Sequence, residues 1–168
     1  VCDDQYVQNT SLFAGTVTDL TGANRGCLAS SERQGTWYVF SINTGGNLGM
    51  TITPLANDDY DFALWGPYPA GSLTSTICVP ASAPIRCSYA SGANTFAATG
   101  SYNTGMGNSS FVTPQFTTPA TCPSCTEGAG ANGWISGLTV TAGQVYLLYV
   151  SNFSQSGSRH VSTVPSTS

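Results

Sequence analysis

Six consecutive positions, Val145-Tyr146-Leu147-Leu148-Tyr149-Val150, carry only apolar or aromatic side chains. Such a run is too short for an ordinary helix, and its β-branched and aromatic content marks a strand. Successive side chains of a strand point to opposite faces, so Val145, Leu147 and Tyr149 oppose Tyr146, Leu148 and Val150. Both faces need cover, and a strand over residues 144–153 is therefore expected in the middle of a sheet. Residues 37–42 have a related pattern, with Tyr38, Phe40 and Ile42 on one face and Trp37, Val39 and Ser41 on the other.

Further strands are expected at residues 12–20, 48–55, 59–65 and 134–140, between clusters of Gly, Pro, Asn and Ser. The turns at residues 43–47 and 141–143 contain Gly and read as hairpins. No stretch keeps a helical period. Strands joined by short turns predict antiparallel sheets, and burying them face to face gives an all-β, two-sheet antiparallel β-sandwich. The 168 residues suit a single domain, 1–168. Residues 90–133 stand apart. Rich in Gly, Ser, Thr and Asn, with Phe96, Tyr102, Phe111 and Phe116 scattered through them, they are expected to form a long inserted loop. Such a loop is either functional or a surface meander tied by its own disulfide.

Only 7% of the residues are charged and none is Lys, against about a quarter charged in ordinary domains. The surface must be filled by Ser, Thr, Asn, Gln and Gly, which repel neighbouring copies only weakly. A net charge of −4 with four Arg leaves no basic patch to neutralise phosphates, so nucleic acid is an unsuitable partner. No apolar run reaches the roughly 18–20 residues that span a bilayer, so no transmembrane segment is expected. The chain begins at Val1 without a signal-peptide pattern and reads as a processed form. An even count of six cysteines beside one His suits disulfides in an oxidising, extracellular setting. Proximity suggests Cys2 with Cys27, Cys78 with Cys87 and Cys122 with Cys125, although six cysteines allow 15 connectivities.

Groups able to carry chemistry are few. His160 lies in a Ser- and Thr-rich tail, where an exposed residue is expected and not a catalytic one. Without Lys there is no Schiff-base amine and no P-loop. Paired carboxylates leave a glycoside hydrolase open as a second alternative. Asp58, Asp59 and Asp61 cluster in Asn57-Asp58-Asp59-Tyr60-Asp61 and could offer oxygen ligands to calcium, the one cofactor considered. A solvated loop-to-strand junction is the favoured alternative. Cys122-Pro123-Ser124-Cys125 has redox spacing, but its Pro- and Thr-rich flanks suit a structural ring. Asn9, Asn108 and Asn152 open glycosylation triplets. Trp65, Tyr68 and Tyr102 could stack on sugars if exposed, although a core position suits Trp65 better.

The segments Asp59-Tyr60-Asp61-Phe62-Ala63-Leu64-Trp65-Gly66 and Ile85-Arg86-Cys87-Ser88-Tyr89-Ala90 resemble a β-sandwich module of Bacteroidetes surface and gliding-associated proteins. So do residues 133–140 and 142–154, and export of such proteins by the type IX route is common. The strand order is also similar to bacterial pre-peptidase C-terminal domains. The resemblance implies a jelly-roll-like sandwich at the cell surface, a non-catalytic role, and a modestly greater expectation of calcium at Asp59 and Asp61. Here the closing apolar strand of such modules is replaced by a weakly alternating tail, which would leave a sheet edge open to strand addition. The expected function is a non-enzymatic extracellular structural or adhesive subunit whose partners are other copies of itself, assembled as a filament or sheath. A glycan- or surface-binding module that takes polysaccharide is the alternative.

Overall fold

The computed structural model describes residues 5–8, 19–28, 33–118, 124–156 and 160–163. One five-stranded sheet has the order β2 (Gln34–Ser41), β12 (Val145–Asn152), β5 (Tyr60–Tyr68), β6 (Arg86–Ser88) and β9 (Thr126–Glu127). A second runs β1 (Gln5–Gln8), β13 (His160–Thr163), β4 (Met50–Pro54), β7 (Thr104–Met106) and β10 (Trp134–Ile135). A third holds β3 (Gly46–Leu48), β11 (Gly137–Val140) and β8 (Phe116–Thr117). The short helices α1 (Thr74–Ile77) and α2 (Gly92–Thr99) complete the order. The domain is all-β and sandwich-like, with three sheets where two were expected. The sheets are also mixed, because β10 with β7, β11 with β8 and β6 with β9 pair in parallel.

The expectation for residues 144–153 is borne out: β12 is buried at all eight positions and pairs antiparallel with both β2 and β5. Its inward set, Tyr146, Leu148 and Val150, joins Tyr60, Phe62 and Leu64 of β5 in one core. Leu48, Met50, Ile52, Met106, Ile135, Leu138 and Val140 close that core from the other two sheets. The opposite face of β12 presents Leu147 and Tyr149, which pack with Ala63, Trp65, Cys87, Leu20 and Leu28 in a second cluster. Residues 19–28 thus cover the outside of the first sheet. Asn24 fastens this cover by donating its side-chain amide to the carbonyls of Asp19 and Pro80, at 3.1 and 2.8 Å. Gly35 lies under the Tyr149 ring, and a Cβ there would strike it.

The turns at 43–47 and 141–143 do not make hairpins. β2 and β3 lie in different sheets, as do β11 and β12, so each turn carries the chain across the edge of the core. The two crossings lie side by side: Ile42 N–H donates to the Gln144 carbonyl and Gly143 N–H to that of Ile42, both at 2.8 Å. A short reversal serves either geometry; here Ile42, Leu48 and Val140 all point into the core, which pulls the chain over it.

The strands expected at 48–55 and 134–140 are each divided, at Gly49 and at Ser136. Residues 90–133 are more than a loop, since α2 and strands β7, β8 and β9 lie within them and serve all three sheets. The strand expected at 12–20 falls mostly outside the described residues, and Asp19 and Leu20 are not in a strand.

The cysteine pairing also differs. Cys27 bonds Cys87 across 60 residues with a Cα separation of 5.8 Å. This overturns Cys2 with Cys27 and Cys78 with Cys87, and leaves Cys78 as a free thiol. Sequence proximity failed because Cys27 reaches Cys87 through the cover on the outer face. Cys125 is disulfide-bonded, while Cys2 and Cys122 lie outside the described residues.

Arg86 on β6 points into the molecule and is fully buried. Its Nε donates to the Ser136 carbonyl at 2.8 Å, and its Nη2 to the carbonyl of Gly137 at 2.8 Å and to Thr117 Oγ1 at 2.9 Å. One guanidinium thereby ties the first sheet to the point where β10 gives way to β11, and to β8. Burial lowers its pKa to about 10, opposed by Tyr146.

Replacing Arg86 with Met should cost about 3 kcal/mol or more in chemical denaturation, because several buried carbonyls lose their donor together. Arg86→Lys should recover only part of this, since an ammonium lacks the planar fork. Cys27→Ser should cost about 4 kcal/mol by loop entropy for a 60-residue separation.

Candidate functional site

The polar residues collect where β5 begins. Tyr60, Phe62 and Leu64 face the main core, so alternation turns Asp61, Ala63 and Trp65 to the outer face. The acidic cluster is split by this geometry.

On the outer side, Asp61 is 3% exposed and is in register with Ser151 of β12. Burial, with the charge of Asp59 beside it, pushes its carboxyl up to about 8, while Arg33 pulls the other way. Burial likewise pushes Asp59 up to about 6, against the N–H of Gly92 that donates to it at the start of α2. The Asp59 backbone is held by Ser154 Oγ, which accepts its N–H at 3.0 Å, and by the N–H of Phe153 at 2.8 Å. Arg33 lies 4.6 Å above the Phe153 ring, and Tyr89 meets that ring edge-on. The favoured sequence expectation was a solvated junction; Asp58 and Asp61 are instead buried.

On the inner side, Tyr60 is the hub. Its hydroxyl accepts from Asn152 Nδ2 at 3.3 Å, and its ring lies 4.8 Å from that of His160. Asp58 is close enough that its charge adds to burial in raising the Tyr60 pKa. His160 is 1% exposed, not the exposed tail residue expected, and burial holds its imidazole down to about 4. Among the described residues, neither of its ring nitrogens has a hydrogen-bond partner, and Asp58 Oδ2, Asn152 Oδ1 and Ser162 Oγ are buried and equally unmatched. Each such group costs about 1–3 kcal/mol when left dry, and such sites are where buried water is found.

Among the described residues, no three His, Cys, Asp or Glu side chains are grouped as metal ligands would be. Asp59 and Asp61 remain together, but Asp61 is buried, which raises its pKa and closes it to a sugar substrate. Trp65, proposed as a stacking platform, is 1% exposed and donates Nε1 to the Ser82 carbonyl at 2.9 Å, so it is a core residue. Tyr68 packs against the outer cluster. Tyr102 packs on Phe96 at 5.1 Å, and Phe96 is 48% exposed. Asn152 is fully buried and closed to glycosylation; Asn108 is exposed; Asn9 lies outside the described residues. No helix among the described residues is long and apolar enough to cross a membrane.

The sequence reading missed Asn152 and His160 as partners of Tyr60. Alternation from Tyr146 through Leu148 and Val150 would have placed Asn152 inward. His160 had no such signal, because the tail that holds it is rich in Ser and Thr and only weakly alternating. Comparison of the chain with family models, with curated proteins and with solved structures finds no match.

Asp59 and Asp61 have carboxyl pKa values raised on folding, so the stability linked to them is complete below the ordinary carboxylate range. It declines as pH rises towards about 6 for Asp59 and about 8 for Asp61. Asp61→Asn should therefore stabilise the protein at neutral pH by at least about 1 kcal/mol and flatten this decline, as followed by urea denaturation across pH.

Proposed function

We propose that the chain is a non-catalytic, extracellular structural or adhesive subunit that joins other copies of itself through strand exchange, within a jelly-roll-like sandwich of the surface-protein kind it resembles. The observation that carries this is the seat of β13. That strand lies between β1 and β4, with four residue pairs on each side. A backbone ladder is nearly indifferent to which copy supplies the strand, so the matching segment of a neighbour can form the same pairs. The vacancy expected from the sequence is filled by His160–Thr163, so addition to an open edge becomes exchange.

Three further features support the proposal. The side chains with most chemical reach, Arg86, His160 and Asp61, are all buried. The Cys27–Cys87 bond suits an oxidising compartment. Few charges keep neighbouring copies apart, since only 7% of residues carry one. A glycan-binding module is the second reading, supported by the exposed Phe96 beside Tyr102 and by the exposure of Phe111. Calcium enters only as a ligand that Asp59 and Asp61 could share, a role that needs both carboxyls deprotonated.

Sedimentation and electron microscopy of the purified chain, across salt and Ca²⁺ concentrations, should find oligomers or fibres. A peptide copying the β13 segment, added in excess, should cap them and shorten the assemblies. A stable monomer retained on a polysaccharide column favours the glycan module, and a monomer with neither property rejects both.

A further inference from the structure

The group of unmatched polar atoms around Tyr60 is closed on one side by β13, the strand on which the exchange proposal turns. His160 is the first residue of that strand and Ser162 lies two places on, so both point the same way. Both are buried against the core: Ser162 is in register with Ile52 of β4, and His160 with Pro54. An imidazole buried in this way is tolerable while neutral. Once protonated it carries a charge and two N–H donors into a place where, among the described residues, neither ring nitrogen has an acceptor.

We propose that His160 makes β13 an acid-sensitive latch, in which protonation of the imidazole releases the strand from β4 and opens that position to the same strand of a second copy. The release concerns this chain alone; its use by a second copy rests on the exchange function proposed above.

The surroundings of His160 offer little to stabilise the cation. From β5, Tyr60 faces it with an aromatic ring whose hydroxyl burial keeps protonated. Asp58 lies on the Tyr60 side, with Oδ2 unpartnered among the described residues. β4 contributes Pro54 and Ile52, and β12 contributes Asn152, none of which titrates. β1 places Gln8 and Tyr6 in register with His160 and Ser162. Were Asp58 to swing onto the imidazolium, acid would tighten the strand, so the direction of the effect is itself informative.

The size of the effect follows from linkage. His160 has its pKa lowered on folding, so the stability it gives is present at neutral pH and declines as pH falls from about 6.5 towards about 4. At about pH 5 the ratio of open to closed β13 should be roughly twentyfold that at neutral pH. Hydrogen exchange followed by mass spectrometry on peptides covering β13 and β4, corrected for intrinsic exchange rates, reads this ratio. The increase should be confined to those strands and their neighbour β1, and His160→Gln should abolish its pH dependence. An unchanged pH step in His160→Gln, or protection that rises with acid, overturns the latch.

If His160→Gln fails to fold, the native protein still decides the matter. It has one histidine, so a single imidazole resonance reports the titration. A midpoint well below the ordinary value supports the latch, and an ordinary one overturns it. Sedimentation at the same pH values separates the two proposals. Release with association supports both. Release without association leaves the latch and rejects exchange, whereas association that ignores pH keeps exchange and rejects the latch.

Discussion

The double burial of β12 governs the architecture. A strand with Tyr146, Leu148 and Val150 on one side and Leu147 and Tyr149 on the other cannot rest in a sheet with a wet face. One side is met by the facing sheets. The other is met by residues 19–28, a cover with little regular structure of its own that holds its place through the Cys27–Cys87 bond and Asn24. The disulfide thus does for the outer layer what a strand ladder does for the inner one, and its long sequence separation follows from that task.

Division of the facing layer into two sheets creates a second requirement. Where β3 gives way to β4 and β10 to β11, backbone groups leave the ladders and need other partners. Arg86 answers this on one side, with donors spread over the carbonyls of Ser136, Gly137 and Thr117. Ser136 adds its own hydroxyl, which donates to the carbonyl of Pro114. A buried cation satisfied by carbonyls instead of a carboxylate gains from several dipoles converging on one planar group, and it binds the two layers where neither has a continuous ladder.

The polar groups around Tyr60 are under-satisfied where those around Arg86 are saturated. Tyr60, Asn152, His160, Ser162 and Asp58 bring more polar atoms inside than they match among themselves. This contrast gives the domain a firm region and a loosely satisfied one. β13, four residues long and reaching its sheet after the turn that follows β12, belongs to the second. Local opening is drawn from such regions, and assembly by strand exchange needs a strand that can leave without unfolding the rest.

Much of the layering was legible in the chain itself. Period-two alternation with apolar residues on both faces placed β12 centrally and assigned Tyr38, Phe40 and Trp37 to their sides, because side-chain direction in a strand is local geometry. It also carried the inward position of Asn152, had the alternation been followed one step further. Local pattern says nothing about which strand lies beside which. The crossings at 43–47 and 141–143 passed for hairpins, β6 to β9 went unseen at two or three residues each, and Cys27 was matched to the wrong partner. Each of these is settled by contacts between residues far apart in sequence. The same holds for the site. The aspartates were visible as a cluster, but their division between two faces, the burial of Arg86 and the seating of His160 against Tyr60 were decided only when the layers closed, since burial belongs to the assembled core and not to any segment of it.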